Sequence, residues 1–251
     1  MLEIEHLTKV YPGGKRAVDD VSFRVQAGQI VGFIGHNGAG KTTTLRCAAG
    51  ILDFSEGVIT VNGHDVRTQP VAAKREMAFL PDNPDLYEFM TGVKYLKFIA
   101  DLYGMGDERT ERIRRYADAF GLTGALGSPI GGYSHGMKQK LALISALMHR
   151  PKLFILDEPF VGLDPQAAFL MKGFLRELCD EGGCVLFSTH VLEVAEKLCD
   201  RIVIIKNGRL VEQGETAQVI GNQSLEDVFL ELAAQTGEPE PAAREGEDDH
   251  A

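Results

Sequence analysis

Residues 35–42 read Gly-His-Asn-Gly-Ala-Gly-Lys-Thr, and this stretch decides the fold. It fits the pattern G-x-x-x-x-G-K-[ST] at every fixed position. The apolar run at residues 30–34 predicts a buried strand before it. A helix is predicted to follow from Lys41 to about Ala49, ended by Gly50. In that context the backbone N–H groups of the loop curl round a phosphate, and the helix N-terminus adds a favourable dipole.

The side chains of this loop suit a magnesium nucleotide. Lys41 can supply a positive charge to the outer phosphates, and the Thr42 hydroxyl can ligate a Mg²⁺ ion that bridges them. The predicted nucleotide-binding residues are Gly35, His36, Asn37, Gly38, Ala39, Gly40, Lys41, Thr42 and Thr43. By itself the loop leaves open a kinase, a GTPase or a motor ATPase.

Two adjacent acids follow a second apolar strand, Leu153–Leu156. In a parallel sheet, ligands bind beyond the carboxyl ends of the strands, so Asp157 and Glu158 are predicted at the same edge as the loop. Asp157 suits the shell of Mg²⁺, and Glu158 suits deprotonation of an attacking water, which favours a hydrolase. His190 follows a third predicted strand, Val185–Ser188, and is predicted to contact the γ-phosphate from that edge.

Strands and helices alternate along the chain, which predicts an α/β fold with a mostly parallel sheet. Apolar residues at period two predict further strands in the first 30 residues. Residues 91–150 have helical spacing instead and predict a helical insertion. The helices of the insertion are predicted to start near Thr91, Asp107 and Ser134, and later ones to span Pro165–Asp180 and Val191–Leu198.

Composition and charge limit where the chain is expected and which kinds of partner it can have. The chain has 251 residues, 44% hydrophobic and 25% charged, as a globular protein does. No apolar stretch approaches the roughly 20 residues that span a bilayer, and the first residues lack the pattern of a secretory signal. The chain is therefore expected in the cytoplasm, held at a membrane only by another polypeptide. No basic stripe is evident, which argues against nucleic acid as a partner.

The cysteines and the acidic end of the sequence have simple interpretations. The four cysteines form no C-x-x-C pair, so we interpret them as reduced, buried, small hydrophobic residues rather than as a metal site. The formal net charge is −10, and residues 237–251 contain six acids against one base, Arg244. With almost nothing apolar in it, this tail is predicted to be disordered.

The segment Ser134-His135-Gly136-Met137-Lys138-Gln139 completes an ordered set of motifs. With this set, the chain resembles the nucleotide-binding subunit of an ATP-binding-cassette (ABC) transporter. More loosely, it resembles the ABC-2-type subunits that drive exporters with separate membrane subunits. The resemblance covers about residues 1–230 as one domain and implies a P-loop NTPase fold with an N-terminal antiparallel β subdomain. The core with this subdomain is expected at about 1–80 and 151–222, the helical subdomain at about 85–150, and the tail at 231–251.

The resemblance also implies roles for particular residues. Tyr11 matches the aromatic residue that stacks on adenine. Ser134 and Gly136 match the signature that faces the γ-phosphate held by a second copy, so that a head-to-tail homodimer sandwiches two ATP molecules. Gly162-Leu163-Asp164 matches the loop that crosses this interface, and His190 matches the switch histidine. ATP would close this dimer and hydrolysis would reopen it. The helical insertion would transmit that motion to an integral membrane permease at the cytoplasmic face of the membrane.

The sequence departs from the family pattern at two positions. His135 lies where the signature commonly has glycine. Asp82 lies where a glutamine usually reaches the metal and the attacking water. A carboxylate is an oxygen ligand suited to Mg²⁺, but it adds negative charge beside Asp157, Glu158 and the phosphates. Asp82 is therefore either a third metal ligand or a turn residue between two prolines.

Alternatives to a transporter subunit remain within the same superfamily. A soluble ABC ATPase in cofactor assembly or remodelling, without transport, stays open. A DNA-maintenance ATPase needs a long coiled coil, and a translation factor needs two cassettes in one chain; the sequence has neither feature. Residues Phe79–Tyr95 are predicted to touch the membrane partner, although their apolar side chains fit a local core equally well. The substrate and the direction of transport depend on that partner.

Overall fold

The computed structural model describes residues 1–234, which form two sheets flanked by helices. The strands are β1 (Leu2–Val10), β2 (Arg16–Val25), β3 (Ile30–Ile34), β4 (Glu56–Val61), β5 (His64–Asp65), β6 (Met77–Leu80), β7 (Leu153–Asp157), β8 (Cys184–Thr189), β9 (Arg201–Lys206) and β10 (Arg209–Glu215). The helices are α1 (Lys41–Ala48), α2 (Pro70–Arg75), α3 (Gly92–Leu102), α4 (Arg109–Ala119), α5 (His135–Leu147), α6 (Pro165–Asp180), α7 (Leu192–Leu198), α8 (Thr216–Ile220) and α9 (Leu225–Ala234).

The larger sheet has the strand order β10-β9-β3-β8-β7-β6, and all its neighbours are parallel except β10 and β9. The predicted mostly parallel sheet is therefore confirmed. The smaller sheet, β2-β1-β4-β5, is antiparallel and contains the strands predicted in the first 30 residues. Both the α/β fold class and the antiparallel N-terminal part agree with the expectation.

Strands β3, β7 and β8 are buried at every residue because both faces of the larger sheet are covered. Alternate side chains of one strand enter two different cores. Phe154 packs in the core that contains the helices α3 to α5, whereas Ile155 packs in the core beneath the antiparallel sheet and α1. The sheet thus stands rigidly between two apolar layers, and its carboxyl ends form a fixed edge.

The helical insertion occupies the region predicted for it. The Thr91 hydroxyl accepts a hydrogen bond from the Lys94 N–H and caps α3, as the sequence suggested. Helix α4 turns Ile113 and Tyr116 inward, again as predicted. Helix α5 is the most deeply buried of the three and packs on β6, so it connects the insertion to the sheet.

The last described helix corrects the predicted start of the tail. Residues 231–234 continue α9, because Leu232 on this helix packs against the core. The rest of the predicted acidic tail lies outside the described residues. Within residues 1–234, no helix is long and apolar enough to cross a membrane.

All four cysteines lie in the described residues, and each is free and buried, which confirms their interpretation as small hydrophobic side chains. Burial raises the pKa of the Cys47 thiol to about 11 and that of Cys184 to about 12. At neutral pH both are therefore protonated, and a thiol of this kind is a poor nucleophile.

The His149 ring at the end of α5 stacks on Tyr103, with the ring centroids 3.7 Å apart. Burial, with a smaller contribution from the neighbouring Arg112, lowers its pKa from 6.5 to about 4. The unfolded chain therefore binds a proton at this residue at a higher pH than the folded chain does. The resulting stability is complete above pH 6.5 and is lost as the pH falls towards 4, by up to about 3 kcal/mol.

We expect His149→Phe to remove this part of the pH dependence, because phenylalanine keeps a stacked ring but cannot bind a proton. Urea unfolding of both proteins at pH 7.5, 5.5 and 4.5 measures the effect. The free energy of unfolding of the variant should rise relative to that of the unmodified protein as the pH falls. A constant difference between the two proteins across this range would contradict the prediction.

Candidate active site

The phosphate loop and the predicted catalytic residues meet at the carboxyl edge of the larger sheet. Strand β8 lies between β3 and β7, with Ile34 beside Thr189 and Asp157 beside Ser188. The loop that follows β3 and the acids that end β7 are therefore held at the same edge of the sheet, on strands separated only by β8. His190 directly follows β8 and lies between them.

Two glycines of the loop are required by its path. Gly38 and Gly40 have φ angles of 83° and 109°, in the left-handed region that favours glycine. At Gly40, a Cβ atom would lie 2.5 Å from the Ala17 carbonyl oxygen, and at Gly35 one would lie 2.5 Å from that of Ile205. The loop is thus pressed against the backbone behind it. Its Ala39 N–H is bonded to the His36 carbonyl oxygen, while Gly38, Gly40 and Thr42 line the cavity.

Lys41, the first residue of α1, is only 6% exposed. Its Nζ donates hydrogen bonds to the carbonyl oxygens of Gly35, at 2.6 Å, and His36, at 3.3 Å. The same ammonium group is 3.6 Å from Glu158 Oε1. The loop and the acid therefore share one positive charge, at the place where an anionic ligand would also be bound.

Asp157 and Glu158 differ in their surroundings. Asp157 is 2% exposed, and its Oδ1 accepts a hydrogen bond from the Ser188 hydroxyl at 2.6 Å. Glu158 has a φ of 48°, which costs a residue with a side chain about 1–3 kcal/mol. Its Oε2 lies 3.0 Å from His190 Nδ1. Glu158 thus contacts the loop lysine through one oxygen and the histidine through the other.

The phosphate loop, Asp157 and Glu158 line an open cavity of about 670 Å³, within the size range of ligand sites. His190 is not in the cavity wall and contacts it through Glu158. Of the predicted residues, the cavity wall contains Tyr11, His36, Asn37, Gly38, Gly40, Lys41, Thr42, Thr43, Asp82, Asp157 and Glu158. The other two predicted loop residues, Gly35 and Ala39, are buried and do not line the cavity. The Tyr11 hydroxyl is 3.4 Å from Thr43 Oγ1, so the tyrosine lies beside the loop.

Part of the cavity wall was not predicted from the sequence. These residues are Lys15, Arg16, Ala17, Arg46, Pro81, Asn83, Asn207 and Gly208. Arg46 follows Thr42 by four residues on α1, so helical spacing from the loop was a usable signal. For Arg16, the only signal is a contact between residues that are far apart in the sequence. Asp19 pairs with both Arg16 and Arg209, and these hydrogen bonds hold the pKa of the Asp19 carboxyl below its usual value.

Ser134 and Gly136 are not in the wall of this cavity. Ser134 caps α5 by accepting a hydrogen bond from the Met137 N–H at 3.3 Å, and its side chain is exposed. The exposed His135 contacts Gly162, in the loop before α6, so its side chain occupies no interior space. The first two residues of this signature segment, Ser134 and His135, are therefore exposed, and the segment is separate from the cavity of its own chain.

The residues present fit a magnesium nucleotide. The cavity offers basic side chains at Lys15, Arg16, Lys41 and Arg46, and the loop N–H groups, to a polyphosphate. Oxygen donors of Thr42, Asp157 and Asp82 line the same space, and oxygen is the ligand type that Mg²⁺ prefers. Among residues 1–234 no cluster of three acidic, histidine or cysteine side chains could hold a metal by itself. Mg²⁺ commonly binds through one or two carboxylates together with substrate phosphates, so this donor set is sufficient.

The sequence and the fold of the chain both match known proteins of one family. The profile described as ABC transporter matches residues 18–161. The ABC transporter ATP-binding protein NatA of Bacillus subtilis (strain 168) is 37% identical over 215 residues, which are 85% of this chain and 87% of NatA. A solved structure of an ATP binding subunit of an ABC transporter has a TM-score of 0.89 at 35% identity, covering 93% of this chain and 99% of that one. That of cbiO1 from Clostridium perfringens, part of the ABC transporter complex cbiONQ, has a TM-score of 0.74 at 26% identity, covering 93% and 96%.

Proposed function

The chain belongs to the ABC transporter family, and from this membership we propose that it hydrolyses Mg-ATP to energise export through a separate membrane subunit. The observation that carries the proposal is the contact between Lys41 and Glu158 in the cavity wall, with His190 bonded to the second oxygen of Glu158. A phosphate-binding lysine and a carboxylate base in contact are the parts that hydrolysis needs. The transported substrate is unidentified, and export is proposed because the motifs resemble those of exporter subunits.

Each side chain has a proposed role in hydrolysis. Lys41 and the loop N–H groups bind the β- and γ-phosphates, while Tyr11 stacks on the adenine. Glu158 orients the attacking water and accepts its proton, and His190 fixes the Glu158 carboxylate and contacts the γ-phosphate. Thr42, Asp157 and Asp82 would hold Mg²⁺, which neutralises charge on the phosphates when bound.

The active form is proposed to be a head-to-tail homodimer. Ser134 and Gly136 lie at the exposed start of α5, where a hydroxyl and a helix N-terminus can bind an anion. Because they lie outside the cavity of their own chain, the phosphate they face is proposed to be that of a second copy. Lys140 on α5 is paired with Asp164 at 2.6 Å, so the signature helix and the 162–164 loop would move together at this interface.

The proposed membrane partner contacts an aromatic surface on the helical insertion. Tyr87, Phe89 and Phe98 are 50%, 81% and 40% exposed, and the Tyr87 ring contacts both of the other rings. Leu86 of the same segment is buried, so this segment contributes a side chain to the local core as well as exposed aromatic rings. This segment follows Asp82, which lies in the cavity wall. A change in the cavity could therefore be transmitted along the chain to a partner bound to this segment. We accordingly propose that the chain acts at the cytoplasmic face of the membrane.

We expect Phe89→Glu to abolish association with the membrane partner and leave ATP binding unchanged, because Phe89 is exposed and is not in the wall of the cavity. Affinity purification of the tagged chain from solubilised host membranes, followed by mass spectrometry, measures the association. The unmodified chain should recover an integral membrane protein with several spans, and the variant should recover less than about a tenth of it.

Leu230→Glu is the matched control, since Leu230 is 51% exposed on α9 and is not part of the aromatic surface. Recovery of the membrane protein should be unaffected by this change. If the unmodified chain recovers no membrane protein but hydrolyses ATP, transport coupling is wrong and a soluble ATPase is correct.

A further inference from the structure

The Ser188 hydroxyl lies between the two acids of the site. Its side chain is 0% exposed, at the end of β8 and directly beside Asp157 in the sheet register. Its Oγ is 2.6 Å from Asp157 Oδ1 and 3.0 Å from the Glu158 backbone nitrogen. We infer that Ser188 is a positioning residue that sets the orientation of Asp157 and Glu158 together. The inference rests on the proposed hydrolysis.

The direction of both hydrogen bonds follows from the groups involved. The Glu158 backbone nitrogen can only donate, so Ser188 Oγ accepts that bond. A serine hydroxyl has one proton, which is therefore available to the Asp157 carboxylate and is donated to Oδ1. Two successive hydrogen bonds thus connect the Glu158 amide, through the Ser188 hydroxyl, to the Asp157 carboxylate.

The first consequence concerns Asp157. A short bond to Oδ1 fixes the rotation of the carboxylate and therefore the direction in which it presents its second oxygen. Mutation of an outer group that orients a metal ligand in this manner typically costs roughly 10- to 100-fold in metal affinity or activity. Ser188 thereby acts on Mg²⁺ only through Asp157.

The second consequence concerns Glu158. Its φ of 48° is a conformation that side-chain residues rarely adopt, and the hydrogen bond from its N–H to Ser188 holds the peptide in it. This backbone directs the carboxylate to Lys41 and His190. Loss of the Ser188 oxygen would leave the amide free to rotate and the carboxylate free to leave the attacking water.

A role restricted to folding would not require a hydroxyl at this position. The residues before it in β8, from Cys184 to Phe187, are all buried and either apolar or a thiol. A buried hydroxyl is unfavourable unless it is hydrogen-bonded, through its donor, its acceptor or both. Here both are used, and both partners are residues of the proposed reaction.

Substitution of Ser188 by Ala tests the inference in the full-length protein. Because both hydrogen bonds are lost, kcat should fall by roughly 10- to 100-fold. The affinity for ATP in EDTA should change by less than about twofold, because the phosphate loop is untouched. The gain in nucleotide affinity on adding Mg²⁺, measured with a fluorescent ATP analogue, should be reduced. Ser188→Thr keeps the hydroxyl and should restore most of kcat and of the Mg²⁺ effect.

Ser145→Ala is the matched control, because it removes another buried serine hydroxyl, one bonded to the Ala142 carbonyl oxygen in α5. It should leave kcat and the Mg²⁺ effect unchanged. If Ser188→Ala does not fold by circular dichroism, Ser188→Cys replaces it, since the thiol fills the volume but bonds weakly.

Two results would overturn the role of Ser188. One is a kcat and a Mg²⁺ effect in the Ala or Cys variant within about twofold of the unmodified protein. The other is an equal loss in the Ala and Thr variants. Absence of hydrolysis in the unmodified protein would instead refute the proposed function, so the two failures are distinguishable.

Discussion

Replacing Glu158 with Gln should lower the steady-state ATPase rate by roughly 10²–10⁴-fold, the range that a positioned base contributes. Glutamine has nearly the same shape, but it cannot accept a proton from the attacking water at neutral pH. The Lys41 ammonium group would lose a charged neighbour 3.6 Å away, so the phosphate loop should bind ATP at least as well as before. Phosphate release measures turnover, and equilibrium binding of a fluorescent ATP analogue measures affinity.

Glu177→Gln is a suitable control for this change. Glu177 lies on α6, pairs with Arg115 at 2.7 Å and is outside the cavity wall, so its neutralisation should leave turnover unchanged. Equal turnover in the unmodified protein and in Glu158→Gln would show that another group takes the proton. A loss of ATP affinity as large as the loss of turnover would instead assign Glu158 to binding.

Much of this architecture was predictable because its signals are local. Helix α6 spans Pro165–Asp180 as predicted, since Asp164 caps it through the Ala167 N–H and Pro165 suits its first turn. The phosphate loop is specified by glycines that its path requires and by the strand before it. In such segments, propensity, capping and hydrophobic pattern all favour one structure.

The features that were missed depend on contacts between distant residues. Strand β6 is only four residues long and pairs with β7, about 75 positions later, so its pattern was too short to identify. The position of Ser188 became meaningful only once the register with Asp157 was known. Glu158 shows the reverse case, in which a conformation unfavourable to its residue type occurs at a site of proposed chemistry.

Two inactive variants should recover activity when they are mixed, if the site is shared between two chains. Lys41→Ala removes the phosphate-binding charge, and Gly136→Asp places a negative charge at the signature; each alone should lose at least about 10²-fold in turnover. A Cβ at Gly136 would come no closer than 3.4 Å to another residue, the Gly162 oxygen, so the helix tolerates the change. In a mixed dimer, one site has an intact loop from the Gly136→Asp chain and an intact signature from the Lys41→Ala chain.

With random pairing, half of the dimers are mixed and each has one complete site of two, which gives about a quarter of the original rate. A mixture of Lys41→Ala and Glu158→Gln is the matched control. Both of these changes lie in the cavity of their own chain, so no pairing of the two chains yields a complete site. Recovery in the first mixture and not in the second requires that the signature act across the interface.

If the first mixture is no more active than its components, the cavity of one chain must be sufficient or the two chains do not exchange. Mixing the chains in denaturant before refolding removes the second explanation, so continued inactivity would then count against the shared site.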